Sequence, residues 1–191
     1  MDSGASQIEP AKFRLVGVSE EDRMLLDHLS CEFRCAYDHY LRVIRETGIL
    51  SKSELERKTT LAGRRRNVGY PLKSDMLANT RQCARDKAVE CVRLYNSLRE
   101  KRVRTEFPEF MYETVSPRLN WRDGYRIDAD GSISISVRKG DIVRAVLEGS
   151  KEDKTNVSKA LERSCRLAAA ELTKDGGDYF ISFNLAANLL E

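Results

Sequence analysis

The sequence predicts an α+β fold in which a small antiparallel β-barrel is interrupted, after its first strand, by a helical lobe. Residues 12–18 alternate like a short strand, and no second strand follows for about a hundred residues, because residues 19–104 read as helices joined by loops. From Trp121 onward the apolar period changes from about 3.6 to about 2 residues. We therefore expect the first strand to find its partners in the C-terminal third of the chain.

These changes of pattern set the expected domain boundaries. Residues 1–11 are small and polar, and we expect them to form a disordered tail. Residues 12–18 and 111–191 are assigned to the barrel. Residues 19–110 are assigned to the helical lobe, which makes the lobe an insertion within the barrel.

A capped helix begins the lobe. Ser19 precedes three acidic residues, an arrangement that satisfies the first turn of a helix. Apolar residues then recur at helical spacing over residues 25–44, and Gly48 is a natural C-terminal residue. A short second helix is expected after Ser51 or Ser53.

A third, long helix is predicted between Pro71 and Arg104. Ser74 can accept hydrogen bonds from the first turn, and Asp75 complements the positive end of the helix dipole. One face carries a helical stripe of apolar and small residues, and most other positions are cationic. The stripe is Leu77, Ala84, Ala88, Cys91, Tyr95 and Leu98, and the cations are Arg81, Arg85, Lys87, Arg93, Arg99, Lys101, Arg102 and Arg104.

The C-terminal third reads as antiparallel strands. Pro108 ends the helical half, because proline cannot continue a helix. Asp130-Gly131 lies between alternating apolar runs, the strongest local signal of a β-hairpin. Lys139-Gly140 predicts another turn, a short helix is expected after Thr155, and a closing hairpin is expected to turn over residues 175–177.

Charge is segregated along the chain. The net charge is +3, but residues 42–104 hold 17 Lys or Arg and 7 Asp or Glu, a net of +10. Such a field favours a polyanionic partner, although a solvated helix face is the ordinary alternative. The expected phosphate contacts are Arg64, Arg65, Arg66, Lys73, Arg81, Arg85, Arg93 and Arg99.

The titratable residues form no catalytic or metal-binding pattern. The five cysteines show no CxxC pair, so we expect small buried thiols in a reducing compartment. His28 and His39 lie eleven residues apart on the first predicted helix, and no Ser, Cys or acidic constellation would make either a catalyst, so structural or exposed positions are expected. We expect no metal and no cofactor.

The chain has no secretory segment and no apolar run of ~20 residues, which favours a cytoplasmic protein without a membrane partner.

Several stretches occur in a distinctive order. They are FRLVGVSEEDRMLLDHLSCEFRCAYDHYLRVIRE, a basic loop, YPLKSDMLANTRQCARDKAVECV, EFPEF, YRIDADGSISISVRKGDIVRAVLEG and DGGDYFISFNL. This order resembles the N-terminal half of TnpB-family proteins, which are transposon-encoded, RNA-guided endonucleases of prokaryotes related to compact type V CRISPR effectors. The resemblance implies a wedge (WED) β-barrel interrupted by a recognition (REC) lobe. It also places Lys73, Asn79 and Gln82 near the motif that flanks the target, where amides can bond adenine.

The sequence departs from the family because no RuvC nuclease pattern, with its clustered carboxylates and four-cysteine zinc element, is seen. We therefore expect a non-enzymatic module that binds guide RNA and target DNA, with a separate RuvC-type nuclease chain as a further partner. Two alternatives are a protein–protein adaptor whose basic lobe docks on an acidic partner, and a helix-turn-helix DNA-binding protein built on SELERKTTLAGRRRN.

Overall fold

Three helices separate the first strand from its partners in the sheet. The computed structural model describes residues 11–60, 68–108, 115–128, 130–162, 167 and 169–183. Its elements are β1 (Ala11–Val16), α1 (Glu20–Thr47), α2 (Lys52–Thr59), α3 (Ala78–Glu100), β2 (Arg118–Leu119), β3 (Tyr125–Ile127), β4 (Ser132–Arg138), β5 (Asp141–Glu148), α4 (Lys151–Glu162), β6 (Ala170–Asp175) and β7 (Asp178–Phe183). Within these residues the fold is α+β, with four helices and seven strands.

Strand β1 lies in the middle of the sheet. The strand order is β2-β6-β7-β1-β5-β4-β3, and the neighbouring pairs are antiparallel. Leu15 of β1 faces Leu147 of β5, and Phe13 faces Ile181 of β7. The prediction that the first strand pairs with the C-terminal third is confirmed. The short strand β2 has no periodic signal in the sequence and was not expected.

The sheet curls without closing. The rings of Tyr125 on β3 and Phe183 on β7 lie 5.4 Å apart, although three strands stand between β3 and β7 in the sheet order. Residues 120–124 join the two edge strands, and the N–H of Gly124 donates to the carbonyl of Asn120 at 2.8 Å. No ladder joins β2 to β3 in the described part of the chain. The closed barrel that the sequence predicts is therefore not confirmed.

Helices α1 and α2 have the ends that the sequence predicts. The hydroxyl of Ser19 accepts from the N–H of Asp22 at 3.1 Å. Gly48 adopts the left-handed region at φ 69° and closes the last turn. Ser51 caps α2 by accepting from the N–H of Glu54 at 3.4 Å. Local hydrogen bonding thus determines both helix starts.

Helix α3 begins later than predicted, and Ser74 does not cap it. The N-cap position is Leu77, whose side chain cannot accept a hydrogen bond. Ser74 instead donates to Glu32 of α1 at 2.8 Å. Asp75 accepts from Nε2 of His28, also on α1, at 3.0 Å. Contacts with α1 therefore hold the residues before α3, in place of the predicted cap.

The buried face of α3 differs from the predicted stripe. Ala84 and Ala88 are buried as expected, whereas Tyr95 is only half-buried. Arg85, predicted to face outward, is buried. The helix packs against α1, α2 and β2, so it buries more than one stripe. Its other buried residues are Thr80, Cys83, Val89 and Val92.

The predicted turns of the C-terminal strands are confirmed. Gly131 and Gly140 adopt φ 82° and φ 95° at the β3–β4 and β4–β5 turns, a region that favours glycine. The β6–β7 hairpin turns at residues 176–177. Helix α4 begins earlier than predicted, because Ser150 accepts from the N–H of Asp153 at 3.0 Å and caps it.

The helices and the sheet share one hydrophobic cluster. Phe13 and Phe183 from the sheet and Phe33 and Tyr40 from α1 are all fully buried members of it. The lobe is thus packed onto the sheet through shared apolar side chains.

None of the described helices combines the length and the apolar character that crossing a bilayer requires.

Candidate nucleic-acid interface

The C-terminal end of α3 is closed by a Schellman arrangement with arginine at the position where glycine is usual. The N–H of Val103 donates to the carbonyl of Leu98 at 3.0 Å, and the N–H of Arg102 donates to that of Arg99 at 2.9 Å. Arg102 adopts φ 58°, in the left-handed region. This conformation costs a non-glycine residue about 1 kcal/mol. The turn therefore holds Arg102 and Val103 against the last turn of α3.

Five exposed cations lie on the last turns of α3 and on the residues just after it, and we term them the basic end of α3. They are Arg93, Arg99, Lys101, Arg102 and Arg104. Glu100 is the single acidic residue between positions 93 and 104. Within the described residues, Arg93, Lys101 and Arg102 form no ion pair. Cations at a helix C-terminus also complement its dipole, so the cluster is favourable for the helix itself.

Two aromatic rings lie beside the basic end of α3. Tyr95 and Phe107 meet edge to face, with ring centroids 5.3 Å apart. The guanidinium groups of Arg45 on α1 and Arg99 lie 5.7 Å from the rings of Phe107 and Tyr95, respectively. Such cation–π contacts stabilise by about 0.5–1 kcal/mol at exposed sites. They tie the segment after α3, and the last turns of α1, to this end of the helix.

The N-terminal half of α3 carries two predicted phosphate contacts that α2 already engages. Arg85 lies 3.0 Å from Glu56 and 2.7 Å from Asp86, and Arg81 lies 3.1 Å from Glu56. Only 11% of the Arg85 side chain and 15% of the Arg81 side chain are exposed. Lys52 adds an ion pair with Asp86 at 2.7 Å. Both guanidinium groups thus hold α2 on α3.

Asn79 has both ends of its amide occupied. Its Nδ2 donates to Asp123 at 3.1 Å, and its Oδ1 accepts from Asn120 at 2.9 Å. These bonds join the start of α3 to the connection between the two edge strands. Gln82 is half-buried and Lys73 is exposed. Of the three residues placed near the flanking motif, Lys73 is therefore the most accessible.

The remaining predicted phosphate contacts fall into two groups. Arg64, Arg65 and Arg66 lie outside the described residues. Arg93 and Arg99 are both exposed on the C-terminal half of α3. The cations that follow them, at positions 101, 102 and 104, are absent from the predicted contacts. The run Lys-Arg-Val-Arg shortly before Pro108 is the signal that could have identified them.

The histidines have structural partners. Nε2 of His39 donates to the carbonyl of Tyr70 at 3.1 Å, and Nδ1 accepts from Arg42 at 3.0 Å. Burial lowers the pKa of His39, which favours the neutral ring with its proton on Nε2. With both nitrogens engaged, His39 is not arranged as a general base. No group of three or more His, Cys, Asp or Glu side chains in the described ranges is arranged to hold a metal ion.

The prediction of buried cysteines is wrong for two of them. Cys31 and Cys35 on α1 are exposed, whereas Cys83 is buried and Cys91 is half-buried. Burial raises the pKa of the Cys83 thiol to about 11. The thiolate is the reactive form of cysteine, so Cys83 is expected to be inert.

Comparison with known proteins adds no relative. No protein-family model matches the chain, and no curated protein matches it. The function proposed below is therefore supported by the charge, exposure and topology of the chain itself.

Proposed function

We propose that this chain is the nucleic-acid-binding module of a TnpB-like, RNA-guided, DNA-targeting protein. The observation that carries the proposal is the basic end of α3, where five exposed cations accompany one carboxylate. A polynucleotide suits such a cluster, because each phosphate contact releases condensed counterions. A small anion would need fewer cations that converge more tightly.

The topology supports the same family. Helices α1, α2 and α3 separate β1 from β5 and β7, its partners in the sheet. A recognition lobe inserted after the first strand of a wedge barrel has this connectivity. We propose that the curled sheet corresponds to the wedge barrel and that the three helices correspond to the recognition lobe.

In the proposed mechanism, the protein binds backbone and base pairing reads sequence. Arg93, Lys101 and Arg102 would contact phosphates of the guide RNA or of its duplex with target DNA. Guanidinium groups suit this role, because they present a planar fork of donors that matches phosphate oxygens. Lys73 would lie nearest the flanking motif. Arg64, Arg65 and Arg66 would add contacts to the nucleic-acid backbone.

The proposal assigns binding, and not cleavage, to this chain. Asp130 accepts from the N–H and the hydroxyl of Ser132 at 2.9 and 2.7 Å, and these bonds lower the pKa of Asp130. Asp141 pairs with Arg138, and Asp123 accepts from Asn79. These acids hold turns and helix contacts, which supports a structural role. Cleavage would come from a separate RuvC-type nuclease chain.

A protein partner is the second candidate, and one observation favours it. Leu94 and Val103 are 61% and 48% exposed and lie within the basic end of α3. Apolar side chains among cations suit an acidic polypeptide as well as a nucleic acid. The adaptor function would use the same surface with a different partner.

Binding of a structured RNA across a salt series tests the proposal. The logarithm of the association constant should fall with the logarithm of salt, and the three contacts at the basic end of α3 should alone contribute roughly −2 to −3 to the slope. Absent binding, or binding that does not depend on salt, would contradict the proposed mechanism.

The adaptor function is tested by affinity capture with and without nuclease treatment. A partner that survives nuclease digestion would favour the adaptor.

A further inference from the structure

We propose that Cys31 and Cys35 form a two-thiolate binding site for a soft, monovalent metal ion, with Cu(I) as the representative ion. The site lies on α1, and it does not depend on the proposed binding of nucleic acid.

The two cysteines lie on one face of the helix. They are four residues apart on α1, so they lie one turn from each other on the same face. Both are exposed free thiols. Cβ atoms at this spacing are about 5–6 Å apart. A disulfide needs about 3.5–4.5 Å. The helix therefore holds the pair as two separate thiols.

A gap too wide for a sulfur–sulfur bond can hold one ion between the sulfur atoms. Thiolates are soft ligands and select soft ions such as Cu(I). A tetrahedral zinc site would need four ligands, and no set of three or more ligating side chains occurs in the described part of the chain. The neighbouring Glu32 already accepts from Ser74 at 2.8 Å. The site thus offers two ligands, which favours an ion that accepts two-coordinate binding.

The binding step is balanced without a redox change. Each thiol releases one proton to solvent, and each sulfur forms one bond to the ion. Two protons leave, two sulfur–copper bonds form, and copper remains Cu(I). No oxidant or reductant is consumed.

The test is an anaerobic titration of the full chain with Cu(I) against a chromophoric Cu(I) chelator. We expect one tightly bound ion per chain. Cys31→Ser and Cys35→Ser should each lower the affinity by at least about 100-fold, because losing an outer partner of a ligand already costs about 10–100-fold. Unchanged affinity in either variant would overturn the proposal. Both positions are exposed, so circular dichroism should show that the variants remain folded.

A matched control keeps the number of cysteines and changes their spacing. Met24 is 60% exposed, and it lies seven residues from Cys31, about 10 Å along the helix axis. The variant Met24→Cys/Cys35→Ser should bind as weakly as Cys35→Ser alone. Wild-type affinity in this control would show that any exposed thiols suffice. Native mass spectrometry should show one ion on a monomer, and an ion bridging two chains would also overturn the proposal.

Discussion

Arg102 adds a positive charge to the basic end of α3, but its backbone conformation lowers the stability of the fold. Its φ of 58° suits glycine, so Arg102→Gly should raise the free energy of unfolding by about 0.5–1 kcal/mol. Arg102→Ala removes the same charge but keeps the unfavourable conformation, so it should give no gain. Urea denaturation of both variants measures the difference. Equal stabilities would contradict the assignment of strain to this residue.

Glu56 is the carboxylate shared by two nearly buried arginines. It lies 3.1 Å from Arg81 and 3.0 Å from Arg85. Glu56→Gln therefore removes one ion pair from each arginine, and among the described residues only Arg85 keeps another, with Asp86. We expect a loss of about 2–3 kcal/mol in the free energy of unfolding. The matched control is Glu54→Gln, whose exposed pair with Arg57 spans 3.7 Å and should contribute below about 0.5 kcal/mol. Similar losses in the two variants would contradict the role of Glu56.

His39 should make stability depend on pH. Burial lowers its folded pKa below 6.5, so its contribution is fully present above that pH. As the pH falls through 6.5 toward the folded value, the unfolded state binds the proton first and stability is lost. The stability difference between wild type and His39→Gln should therefore shrink between about pH 8 and about pH 5.5. A difference in unfolding free energy that is the same at both pH values, measured by denaturation, would contradict this prediction.

At the scale of elements, local hydrogen bonds are predictable and tertiary ones are not. Ser19 and Gly48 bound α1 as predicted, because both act within a turn of the helix. Ser74 carries the same capping signal, yet it donates to Glu32 on another helix. The earlier start of α4 follows from Ser150, which accepts from the N–H of Asp153 and caps the helix.

The junction between β5 and α4 depends on the missing side chain of Gly149. A Cβ atom there would lie 2.6 Å from a ring carbon of Phe13, which is 1% exposed in the core. Gly149→Ala should therefore cost about 1–3 kcal/mol of unfolding free energy. In a double-mutant cycle, adding Phe13→Leu should cost less than the two single changes together. Strictly additive costs would show that the ring is not the obstacle.

At the scale of the whole molecule, the sequence predicted the insertion but not the use of each charge. The pairing of β1 with β5 and β7 followed from the absence of nearby strands. The net charge of residues 42–104 identified a basic lobe, but it could not show which cations have partners. Arg85 is paired and buried, whereas Arg93 is exposed. Pairing depends on contacts such as Glu56 to Arg85, which sequence spacing does not encode.

The most direct test of the basic end of α3 compares two charge reversals in RNA binding. One variant changes Arg93, Lys101 and Arg102 to Glu. The other changes Lys151, Lys154 and Lys159 to Glu, three exposed cations on α4. The variants have the same net charge. The first should lose at least about tenfold in affinity and flatten the salt slope by roughly 2–3, while the second should stay near wild type. Equal losses, or no loss in the first variant, would contradict the proposed interface.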